Sequence, residues 1–137
     1  MLLSNNFNFN TKIPLLKTRL YAGFPSPAED YFRKGLDLND LLIKNPETTF
    51  AKRVEGNSWS EYGIYDKDII VIDRSLPLSH NKIASVTYEG EFTLQRIGNI
   101  DGTLCFLNAQ DDGIYFPIDP SGPVKVWGVV RLVVHIF

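Results

Sequence analysis

The chain has 137 residues, 44% hydrophobic and 22% charged, which is the balance of one globular domain with short tails rather than of a disordered chain. Fourteen basic residues against sixteen acidic ones leave a net charge of −2, which argues against a stand-alone nucleic-acid binder with its basic excess. The single cysteine, Cys105, excludes an internal disulfide, suits a cytoplasmic setting and reads as a buried apolar residue.

Residues 1–27 read as an arm. Pro14, Pro25 and Pro27 interrupt a polar Asn/Phe mixture that has no helical period. The opening lacks the basic start, apolar block and small-residue exit of a secretory signal, which again suits a cytoplasmic protein. Pro27, followed by Ala28, Glu29 and Asp30, predicts a short helix with acidic residues at its N-terminal dipole. A second short helix is expected over residues 37–43. Asp37 caps it, Leu38, Leu41 and Leu42 share a face, and Asn45-Pro46 stops it.

From Thr48 the pattern turns to strands. Residues 68–73 form a β-branched run framed by two aspartates, the pattern of a strand buried on both faces. Residues 83–88 and 91–97 predict two strands joined by a Glu89-Gly90 hairpin turn. Residues 103–108 and 114–118 predict weaker strands. Residues 124–137 form a long β-branched run in which Gly128 permits a bend or bulge, and Lys125, Arg131 and His135 interrupt its hydrophobicity, so it is no membrane span. The expectation is a mostly-β domain of about seven short strands, sandwich-like or barrel-like, preceded by an extended arm and one or two short helices.

The chemistry centres on Gly56-Asn57-Ser58-Trp59-Ser60-Glu61-Tyr62-Gly63-Ile64-Tyr65-Asp66-Lys67-Asp68. A serine just after a glycine, opening a helical turn, exposes its hydroxyl and places the following N–H groups to stabilise an oxyanion. The same local pattern is far more often a plain turn or cap than a nucleophile. No phosphate-cradling glycine loop, dinucleotide fingerprint or metal cluster competes with it, so no cofactor and no metal is expected.

Several stretches together resemble the LexA/UmuD family of self-cleaving serine peptidases. Gly56-Asn57-Ser58, Gly63-Ile64 and Asp66-Lys67-Asp68 before an apolar strand are similar to its nucleophile segment. Gly23-Phe24-Pro25-Ser26-Pro27-Ala28 resembles the sequence at its cleavage point, and Asp37-Leu38-Asn39 with Leu41-Leu42-Ile43 resembles the helix that follows. Gly90-Glu91-Phe92-Thr93-Leu94 resembles the strand that delivers the second catalytic residue, and Trp127-Gly128-Val129-Val130 resembles the last strand. The resemblance implies a LexA/UmuD-type peptidase domain over residues 28–137, an arm over residues 1–27, and a scissile bond at Ala22-Gly23. Twenty-two residues before that bond leave no room for a helix-turn-helix domain, which favours the UmuD branch over the repressors.

The resemblance also implies a Ser–Lys dyad in which a neutral lysine takes the proton of Ser58. The lysine position falls 37 residues beyond Ser58, where this chain has Gln95. An amide has no usable proton affinity near neutral pH, so Gln95 is no general base. Gln95 is expected on one face with Thr93, close to the Ser58 hydroxyl. Arg96 points to the opposite face and stays protonated. Lys52 and Lys82 read as solvated charges away from the site, and His80 and His135 are the remaining bases, with His80 in a surface loop. Asn57 and Trp59 stand where the family often has aspartate and methionine; both are expected at the substrate cleft, Trp59 either filling it or packing on the fold.

The implied function is that of a UmuD-like accessory subunit of an error-prone, translesion DNA polymerase, acting in the SOS response to DNA damage. The implied partners are a second copy of the chain, the RecA–DNA filament, a UmuC-like polymerase subunit and, in mixed dimers, an active relative. With Gln95 in place, self-cleavage is expected to be impaired. The alternative is an active self-cleaving Ser-Lys-type serine peptidase, with Gln95 an engineered change or with a substitute base.

Overall fold

The strand periodicity and turn residues build nine strands among the described residues of a computed structural model, which describes residues 13–16, 20, 22–23, 32–107 and 115–137. The expected helix at residues 27–30 lies outside them. The chain divides into two compact units, Met1–Lys44 and Asn45–Phe137.

In the first unit, strand β1 (Ile13–Leu16) runs antiparallel to β2 (Phe32–Leu36), with Ile13 opposite Leu36 and Leu15 opposite Lys34. Within residues 1–27, Ile13–Leu16 are therefore a paired strand rather than a free extended segment. Ala22 and Gly23 lie at an exposed bend between β1 and β2. Helix α1 (Leu38–Leu42) follows. Its cap is the expected one: the Asp37 carboxylate accepts from the Asn39 N–H at 2.9 Å.

The second unit is one seven-stranded antiparallel sheet in the order β3-β4-β9-β5-β6-β7-β8. Its strands are β3 (Thr49–Arg53), β4 (Ile69–Asp73), β5 (Ile83–Tyr88), β6 (Glu91–Ile100), β7 (Thr103–Leu107), β8 (Tyr115–Pro117) and β9 (Lys125–Val134). β5 and β6 pair through Glu89-Gly90, both residues at positive φ (51° and 81°), the signature of a tight hairpin that matches strand twist. Asp101 (φ 51°) and Gly102 (φ 84°) make a second such turn between β6 and β7, so β6 runs three residues beyond the expected end at Ile97.

Alternation sorts the core onto the two faces of the sheet. Ala84, Val86, Ile97 and Phe106 cluster on one face. Ile64, Ile70 and Ile72 cluster on the other, with Trp59, Ile83 and Leu94 packed against them. β4 is buried on both faces as its sequence predicts. β9 carries two irregularities. Its register slips against β5 at Trp127 and against β4 at Arg131, so the expected bend next to Gly128 is a bulge.

Where β4 ends, Asp73 is fully buried as a carboxylate. It accepts from Thr48 Oγ1 (2.7 Å), Ser75 Oγ (2.7 Å), the Ser75 N–H (2.8 Å) and Asn45 Nδ2 (3.1 Å), tying the 3₁₀ turn Pro46–Thr48 to the β4 end. The Thr48 bond chiefly, then those of Ser75 and Asn45, outweigh burial and hold its carboxyl well below the usual range. A lowered folded-state pKa contributes stability that is present above the unfolded carboxylate range and is lost as pH falls through the folded value. Asp73→Asn is therefore expected to lower the melting temperature at pH 7 by roughly 5 °C or more, and to flatten the decline in stability below about pH 4. Melting curves from pH 7 to pH 3 check both.

Candidate functional site

Ser58 lies in the excursion from residue 54 to residue 68 that joins β3 to β4. The base of this loop is closed by two backbone bonds, Val54 N–H to Asp68 C=O and Lys67 N–H to Val54 C=O, each 2.8 Å. Higher up, the limbs are clamped side chain to backbone. The Asp66 carboxylate accepts from the Gly56 N–H at 2.7 Å, and the Asn57 amide oxygen accepts from the Asp66 N–H at 3.0 Å. Gly56 adopts φ 89°, a conformation that favours glycine. The chain then winds through a 3₁₀ turn, Ser60–Tyr62, which ends at left-handed Gly63 (φ 80°). Ser58 is thus presented, exposed, immediately ahead of that turn, and its side chain makes no hydrogen bond to another described residue.

A cleft of about 520 Å³ opens beside it. One wall is Lys52, Arg53 and Val54 of β3 and its continuation, and the other is Phe92, Thr93 and Leu94 of β6. Ile70 and Ser85 also line it, with Glu55, Ser58 and Trp59 from the loop. Trp59 packs on Ile64, Ile70 and Ile72 and against the Tyr62 ring at 5.1 Å, and its exposed side lines the cleft. Asn57 is not part of the lining; its side chain braces the loop instead.

The residue expected beside the Ser58 hydroxyl, Gln95, is outside the lining, although its neighbours Thr93 and Leu94 are within it. No hydrogen bond joins Gln95 to Ser58. β6 pairs with β5 without a register slip, so alternation places Thr93 and Gln95 on one face and Leu94 and Arg96 on the other.

The other candidate bases are redistributed. His80 Nδ1 accepts from the Asn99 N–H at 2.9 Å, which fixes a surface loop. His135 Nδ1 lies 2.5 Å from Asp68 Oδ1, and the other Asp68 oxygen accepts from the Tyr65 N–H at 2.8 Å. Burial opposes ionisation of Asp68, but the bonds from His135 and Tyr65 and the nearby imidazole hold its carboxyl below the usual range. Neither histidine lines the cleft.

Lys52 is the reverse case. It was expected away from the site, yet it lines the cleft, with Nζ 3.5 Å from the centroid of the Phe92 ring. The signal was available: Phe50 and Val54, at two residues on either side, are apolar and partly buried on the same strand face, so the Lys52 stem is drawn inward with them. Among the described residues no helix is long and apolar enough to cross a membrane, and no group of acidic, His or Cys side chains is arranged to hold a metal ion.

Comparison with known proteins agrees with the motifs. The Peptidase S24-like family profile matches residues 14–131. Protein MucA of Salmonella typhimurium is 37% identical over 119 residues, covering 86% of this chain and 81% of MucA. Protein SamA of Salmonella typhimurium is 34% identical over 128 residues, covering 89% of this chain and 84% of SamA. Protein ImpA of Salmonella typhimurium is 42% identical over 84 residues, which is 61% of this chain and 58% of ImpA.

The polar clamp of the loop generates a test. Asp66→Ala removes the acceptor for the Gly56 N–H and is expected to cost about 1 kcal/mol or less globally. Amide exchange at Gly56 and Asn57 should nevertheless rise at least tenfold, as read by hydrogen-exchange NMR. Unchanged exchange there would show that the backbone closure at Val54 and Asp68 holds the loop alone.

Proposed function

The chain belongs to the Peptidase S24-like family as a UmuD-like member of the LexA/UmuD group, and from that premise we propose that it is an accessory subunit of an error-prone DNA polymerase whose self-cleavage is impaired near neutral pH. The carrying observation is a nucleophile-type serine kept without its base. Ser58 stands exposed on a braced loop in a cleft walled by Thr93 and Leu94 of β6, and the next residue on that strand is an amide rather than an amine.

In this reading the arm, residues 1–27, is the regulatory segment and residues 28–137 are the peptidase-type body. The Ala22-Gly23 bond is the scissile bond, since small side chains on both sides let an extended peptide lie deep in a cleft. With cleavage impaired, the arm stays attached and the protein acts as the uncut form, in the bacterial cytoplasm. It pairs with a second copy, meets the RecA–DNA filament and contacts a UmuC-like polymerase subunit. In a mixed dimer with an active relative, the intact Ala22-Gly23 bond is a substrate for the other subunit.

Replacing the amide tests this. Gln95→Lys is expected to restore cleavage at Ala22-Gly23 by roughly 10²- to 10⁴-fold at pH 8, the usual worth of general-base assistance. The same change in a Ser58→Ala background should stay uncut. Because Gln95 is outside the cleft lining, the result also reports whether a longer side chain from that position reaches Ser58. If Gln95→Lys stays whole while Trp59→Met in the parent is cleaved, access to the cleft rather than the missing base limits the reaction.

A further inference from the structure

Resting on the reading of Ser58 as a nucleophile, we propose that Lys52 is the proton acceptor left to it, a catalytic lysine supplied from β3 instead of β6. The geometry begins with a contact between strands that are far apart in the sheet. β4, β9 and β5 lie between β3 and β6, yet Lys52 Nζ sits 3.5 Å from the Phe92 centroid. The sheet is curved enough for Lys52 to reach from one wall of the cleft to the other, within the same cavity as Ser58.

The remaining charged groups of the lining are Arg53 and Glu55. Arg53 donates Nη1 to the Lys67 carbonyl at 3.1 Å, and a guanidinium does not release its proton in this pH range. Glu55 brings a carboxylate, which as a chemical class is a far weaker base than an amine. Lys52 is thus the one lining side chain whose neutral form matches an alcohol. Nζ rests on the face of the Phe92 ring and has to swing off it to meet the Ser58 hydroxyl. Ser85, 2% exposed, also lines the cleft and puts a hydroxyl within the same cavity.

The neutral Nζ accepts the Ser58 Oγ proton while Oγ bonds to the carbonyl carbon of a peptide bond in the cleft. The tetrahedral adduct collapses by breaking the C–N bond, and the ammonium returns its proton to the departing amine. A water molecule, deprotonated by the same Nζ, then attacks the ester, and the released Ser58 oxygen takes the proton back.

The test incubates the purified full chain between pH 7 and pH 10 and follows it by gel and intact mass. Slow cleavage after Ala22 is expected, rising about tenfold per pH unit up to roughly pH 10, as the neutral fraction of a lysine amine does. Lys52→Met and Lys52→Arg should each lose at least 100-fold, with melting temperatures near that of the parent, and Lys82→Met, outside the cleft, should cleave as the parent does. The arginine variant separates chemistry from packing, because it keeps a cation over Phe92 that cannot give up its proton; cleavage retained in Lys52→Arg overturns the proposal. A parent that stays whole at pH 10 while Gln95→Lys is cut also overturns it, and leaves the proposed function standing. If both stay whole, or if Ser58→Ala is cut equally well, the reading of Ser58 fails and this inference fails with it.

Discussion

β9 is hydrogen-bonded to β4 on one side and to β5 on the other, and the cleft depends on how it bends between them. At Gly128 the backbone comes so close to β4 that an added Cβ would stand 2.7 Å from Ile72 Cγ2 and 3.2 Å from the Asp73 carbonyl. The bulges at Trp127 and Arg131 flank this point and increase the local twist. A flat sheet of these strands would hold β3 and β6 four strand spacings apart, about 19 Å. The bent one lets Lys52 touch Phe92, Phe50 meet the Trp127 ring at 6.0 Å, and Phe92 meet it at 5.5 Å. The Ser58 cleft is a product of that curvature rather than of any one loop.

Most of the sheet was legible because its signals are local. The apolar run 68–73 has no polar face, and Glu89-Gly90 supplies the positive φ values of a tight turn. The bend next to Gly128 follows from a glycine inside a long β-branched run. The Asp101-Gly102 turn carries as strong a local signal as Glu89-Gly90, but Gly98 and Asn99 break the apolar pattern after Ile97 and hide the last three residues of β6. The pairing of β1 with β2 was not legible. Both strands are short, Lys34 and Gly35 dilute the pattern of β2, and a register between segments so far apart in sequence leaves no local trace.

At the site, motif spacing singles out Ser58, its loop and β6, but not which side chains meet. A count along the chain identifies a residue on β6, whereas the side it faces depends on the pairing of Leu94 with Ser85 and of Gln95 with Ala84. Lys52 was misplaced for a related reason. Charge alone suggests solvent, while the apolar residues two positions away on each side set the direction of its stem. The loop owes its shape to polar residues that face one another within it, Asn57 and Asp66, so residues that look like cleft chemistry in sequence are spent on conformation.

The central position of β9 also bears on how the protein reaches its fold. β4 and β5 are close in sequence, but they are not partners; each completes its pairing only with residues 125–134. During synthesis, which proceeds from the N-terminus, both must wait with an open edge until those residues have emerged. The hairpins β5-β6 and β6-β7 close over short loops and form early, whereas joining β3-β4 to them demands the longest loop closure in the unit. Assembly is therefore late and cooperative, and β4, with Ile70, Val71 and Ile72 uncovered until then, is the segment most in need of protection from aggregation on the ribosome.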